Sequence, residues 1–80
     1  MKEEQREKLK KIINRAEGNR RFTENLSATL QEATSTISHK TNGTGYFSDW
    51  EIEILRTKYE MTDEQVVDIF IRGAKLLKTY

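Results

Sequence analysis

The sequence predicts an all-α fold: a small four-helix domain with a C-terminal helix-turn-helix-like hairpin. Three observations carry that expectation. The 80 residues contain no Pro, the strongest helix breaker. Apolar side chains recur at three- and four-residue steps along the chain. Two capping boxes, each flanked by a hydrophobic staple, begin 14 residues apart at Ser48 and Thr62.

The first helix is expected within a basic N-terminal segment, residues 1–21. Residues 2–17 are dense in Lys, Glu, Arg and Gln, which are good helix formers, and Gly18 is placed to end the helix. Its apolar stripe is thin: Leu9, Ile12, Ile13 and Ala16. A second helix is predicted over 23–38, capped by Thr23 and striped by Leu26, Leu30, Ala33 and Ile37. Its Ser and Thr content lowers its helicity, so Thr34 to Ile37 also fits a short strand. Residues 41–45, Thr-Asn-Gly-Thr-Gly, read as a loop.

The hairpin spans 48–79. Ser48 and Glu51 form the first box, with Phe47 and Ile52 as its staple; Thr62 and Gln65 form the second, with Met61 and Val66. On the helix from 48 to about 60, Ile52, Leu55 and Tyr59 share one face and Trp50 and Ile54 the opposite one, with Glu51, Glu53, Arg56 and Lys58 on the sides. On the helix from 62 to about 79, Val66, Ile69, Phe70, Leu76, Leu77 and Tyr80 form a broad face, widened by Val67, Ile71 and Ala74. Of 24 large apolar residues, 16 lie in 46–80, so this part is expected to hold most of the core of a single domain.

Composition narrows the function. Without Cys there is no disulfide framework and no Cys-ligated zinc module. No apolar run approaches the ~20 residues of a membrane span, and Met-Lys-Glu-Glu is no signal core, so a soluble, cytoplasmic chain is expected. The net charge of +1 hides a polarity: residues 1–21 carry +4, residues 48–71 carry −5 and residues 72–80 carry +3. Enzyme chemistry finds no motif. His39 is the one histidine and reads as a solvated loop or helix-end residue; Asp63, Glu64 and Asp68 are what a first helical turn attracts by its dipole. The loop through Asn42 and Gly45 lacks the Gly-Lys-Ser/Thr ending of a phosphate cradle. No cofactor or metal is expected.

Phe47-Ser48, Glu51, Leu55, Tyr59, Met61-Thr62-Asp63, Val66-Val67 and Arg72 resemble the opening of Myb/SANT-like helix-turn-helix modules over about 26 residues. That resemblance implies DNA binding through a third helix, at or after whose start Arg72, Lys75 and Lys78 would fall. Phosphate contacts would also come from the basic N-terminal run, above all Lys10, Lys11, Arg15, Arg20 and Arg21. The expected function is a DNA-binding regulator or accessory protein from a phage or plasmid setting, as monomer or homodimer. The alternative is a non-catalytic inhibitor or adaptor that binds a partner protein through Trp50, Ile54 and the apolar face of the last helix. Trp50 and Ile54 read either as core under the first two helices, the favoured reading, or as an interaction patch.

Overall fold

The computed structural model describes residues 1–42 and 45–71, which form helices joined by turns and short irregular stretches, with no strand among the described residues. Helix α1 runs Glu3–Glu17, α2 Phe22–Leu30, α3 Thr34–Thr41 and α4 Asp49–Lys58. Helix α5, Asp63–Val66, continues directly into a π-helical stretch, Val67–Ile71. The expected continuation of the last helix to 79 lies outside the described residues. Helix α1 packs against both α2 and the π stretch, while α2 packs against α3 and α4.

Residues 23–38 form two helices where one was expected. Gln31 adopts a left-handed conformation (φ 56°), and Ser27 O accepts the Glu32 N–H at 3.1 Å. The Ser27 hydroxyl also donates to the Glu32 carbonyl. This closes α2 and turns the chain before α3 starts at Thr34, so the strand alternative for Thr34–Ile37 is overturned. Three helices end with the same backbone pattern. In each, an N–H five residues on returns to a carbonyl: Asn19 to Asn14, Glu32 to Ser27 and Met61 to Arg56. The left-handed residue is Gly18, Gln31 and Glu60 respectively, so just one of the three stops carries the glycine that marks it in a sequence.

Both predicted boxes form. Glu51 Oε1 accepts the Ser48 N–H at 2.9 Å and the Ser48 hydroxyl at 3.0 Å. Gln65 Oε1 accepts the Thr62 N–H at 2.9 Å, and the Gln65 N–H donates to Thr62 Oγ1 at 3.1 Å. The staple residues Phe47 and Met61 are buried, with Ile52 and Val66 packed against the core.

The core among the described residues joins Leu9 and Ile13 of α1, Phe22, Leu26 and Leu30 of α2, Ile37 of α3, Leu55 and Tyr59 at α4, and Ile69 and Phe70 of the last segment. Phe47 meets Phe70 edge-on, with ring centroids 5.7 Å apart. Four apolar positions depart from expectation. Ala16 and Ala33 are exposed, and Val67 and Ile71 stand out in solvent instead of widening the buried face. Val67 and Ile71 lie on a π-helical stretch at the edge of the face whose centre, Ile69 and Phe70, is buried as expected.

Polar contacts tie the helices together. The Tyr59 hydroxyl donates to Glu17 Oε2 at 2.6 Å and lies 3.3 Å from Thr29 Oγ1, joining the ends of α1, α2 and α4. Burial first, and the Glu17 bond second, push its phenol up to about 12. Lys8 reaches Asp68 at 2.7 Å, fastening α1 to the π stretch.

Candidate functional site

Two surface depressions draw on the residues singled out from the sequence. The first lies along the C-terminal half of α1 and the turn beyond it. Glu7, Lys10, Lys11, Asn14, Arg15 and Arg20 line a hollow of about 590 Å3. A helical period places positions 7, 10, 11, 14 and 15 on one face, and the Gly18 turn swings Arg20 round to meet them. Asn19 shapes that turn: its Oδ1 accepts the Arg21 N–H and the Asn25 amide, each at 2.8 Å. Arg21 is exposed on the turn and does not line the hollow.

The cations of this face differ from the other basic residues. Lys8, Lys40, Arg56 and Lys58 each pair with a carboxylate of another turn or helix. Arg6 lies 3.7 Å from Glu7. Lys10, Lys11, Arg15, Arg20 and Arg21 form no ion pair among the described residues. Arg72, Lys75 and Lys78 lie outside the described residues.

The second depression, about 450 Å3, lies where the end of α3 meets the start of α4. His39, Gly45, Tyr46 and Trp50 contribute to its walls together with Lys40, Ser48 and Glu51. Trp50 is 57% exposed, which overturns its assignment to the core, whereas Ile54 packs against the core. The two residues expected to act as one patch are therefore separated. Residue 51 decides this: α4 turns Glu51 inward and leaves its neighbour Trp50 on the flank.

Glu51 is the functional-site residue that sequence reasoning misplaced. Expected on a solvated side of α4, it is 1% exposed. Its Oε2 accepts from the Lys40 ammonium, which also lies 2.9 Å from Glu32 Oε1. Burial pushes the Glu51 carboxyl up, but its contact with Glu32 and the bonds donated by Lys40 and Ser48 outweigh it and hold the group at about 2. Glu32 moves the other way, raised first by its bond to Glu51 and then by burial. Lys40 opposes its own burial through the same two carboxylates and stays above its ordinary value. The capping box foretold a bond from Glu51 to Ser48. The distant partners on α2's end and α3 left no local signal.

His39 is exposed in the last turn of α3, as expected of a helix-end histidine. Among the described residues no three acidic or histidine side chains are grouped to hold a metal ion, and no helix is long and apolar enough to cross a membrane. No family profile, curated protein or solved structure matches the chain.

Proposed function

We propose that the chain binds DNA as a regulator or accessory factor, with the basic face of α1 as its phosphate-contacting surface. The observation that carries this reading is the sorting of the cations. Lys10, Lys11, Arg15 and Arg20 gather on one hollow without an internal carboxylate partner, while the other described lysines and arginines, Lys2 and Arg21 apart, are paired. Leaving four cations together unpaired raises self-repulsion, and a polyanion relieves it while releasing its own counterions.

The C-terminal pair belongs to the same reading. Helix α4, a turn through Tyr59 and Thr62, and the helix beginning at Asp63 follow the order of a helix-turn-helix unit. Arg72, Lys75 and Lys78, outside the described residues, would add phosphate contacts in this reading. The exposed Asp49, Glu53, Asp63 and Glu64 would keep phosphate away from the start of the pair.

The test is the affinity for labelled random duplex DNA, followed by anisotropy against salt. Four phosphate contacts give a log–log slope of about −4. Arg15→Glu with Arg20→Glu should flatten that slope by about two and leave the melting temperature unchanged. Absence of binding at low salt ends the proposal.

A further inference from the structure

We infer that α1 enters the major groove of the duplex, with Glu7 and Asn14 against the base edges. This rests on the DNA reading above and names the part of DNA that the basic face meets.

The order of side chains round the helix carries the inference. Leu9 and Ile13 are fully buried, so they fix which side of α1 faces the core. At about 100° per residue, Glu7 lies about 160° from Leu9, and Asn14 about 20° from Glu7. These two therefore run down the middle of the outward face. Lys10 falls about 40° to one side of Asn14; Lys11 and Arg15 fall about 40° and about 80° to the other side of Glu7. All five, with Arg20, line the same hollow. The face is thus a central line of one carboxylate and one amide between flanking cations. DNA presents the matching order across its major groove: base edges on the floor and a phosphate rail on each side. A 15-residue helix, about 22 Å long and about 10–12 Å thick, fits a groove about 12 Å wide.

Glu7 and Asn14 suit the floor and not the rails. A carboxylate among four cations weakens a surface that only grips phosphate, yet it accepts well from the cytosine amine. Its ion pair is a loose one, with Arg6 at 3.7 Å and both side chains well exposed. The Asn14 side-chain oxygen is buried and has no hydrogen-bond partner among the described residues, a costly state that a donor relieves. The adenine amine is such a donor, and the Asn14 amide nitrogen donates in return to adenine N7. Arg15 and Arg20 are exposed and form no ion pair among the described residues, so they can swing to phosphate and leave that oxygen open.

The experiment selects duplexes with a short random core on the whole chain and sequences them before and after. Glu7 and Asn14 stand about 10.5 Å apart along the helix axis, which is about three base-pair steps. A C·G and an A·T pair at that separation should be enriched, each about fivefold to tenfold. Glu7→Ala should erase the first preference and Asn14→Ala the second, with the salt slope kept, because neither residue touches phosphate. Alanine suits a helix, so both melting curves should hold. Placing 7-deazaadenine at the selected pair should weaken the parent by the same factor and leave Asn14→Ala unaffected. Salt-dependent binding without any enriched pair, or a pattern that survives both substitutions, overturns the groove placement and leaves the phosphate reading standing. Absence of binding at low salt removes both.

Discussion

Replacing Glu51 by Gln tests whether a buried carboxylate holds the centre of this fold together. The substitution keeps shape and an acceptor for the Ser48 N–H but removes the charge that faces Lys40. A carboxyl held at about 2 against an ordinary 4.5 corresponds to about 3 kcal/mol of folding free energy at neutral pH. Glu32, raised by the same contact, returns part of it, because relieving Glu51 also relieves Glu32. A net cost of about 2 kcal/mol is expected, in line with the loss of one charge-assisted hydrogen bond. For a domain of this size that lowers the melting temperature by roughly 8–16 °C. The pH profile sharpens the test. Native Glu32 takes up a proton above 4.5, where the unfolded chain does not, so stability contributed by Glu32 rises as pH falls through that window. Glu51 then acts oppositely: from 4.5 down to about 2 the unfolded chain is protonated and the native one is not, so its contribution is lost. Urea unfolding from pH 7 to 2 should show the Glu51→Gln deficit begin to shrink below about 4.5 and approach zero near 2. A variant that melts within 2 °C of the parent at pH 7, or a deficit independent of pH, refutes the reasoning.

Other outcomes follow from the same contacts. Gly45→Ala should prevent folding or cost more than ~3 kcal/mol by circular dichroism, because the new Cβ meets backbone that cannot move aside. Gln31→Gly and Glu60→Gly should each stabilise the fold by up to ~1 kcal/mol, since both exposed residues sit at positive φ; unchanged or lower stability for both would contradict the assigned helix stops. Tyr59→Phe should cost about 1–2 kcal/mol in urea unfolding and remove a phenolate absorbance step near pH 12. The native phenol is raised from 10, so stability from Tyr59 is complete below pH 10 and is lost between 10 and 12.

Local chemistry in the sequence was sufficient wherever one residue type answers one backbone need. Ser48 with Glu51, Thr62 with Gln65, and Gly18 after α1 announced their roles, and the periodic positions Leu9, Ile13, Leu26, Leu30, Ile37, Leu55, Ile69 and Phe70 reached the core. The break at Gln31 was not legible, because Gln has no preference for the left-handed region and the apolar stripe runs through it unbroken. The burial of Glu51 and the exposure of Trp50 were decided by Lys40 and Glu32, eleven and nineteen residues away, through contacts that no helical wheel contains. The basic positions of α1 were legible as a charged face. That four of them share one hollow depended on the turn that brings Arg20 back.

The joint at Gln31 sets the place of Glu32, and Glu32 reaches Lys40, which reaches Glu51. Positions 32, 40 and 51 therefore form one unit of inheritance. A lineage that neutralises Lys40 strands two carboxylates in a partly dry setting, and one that loses Glu51 leaves an ammonium with a single partner and α4 without its cap. Diverging copies of this gene should change the three positions jointly or keep all three. An insertion between α2 and α3, turning α3 by about 100° per residue, should therefore be rare.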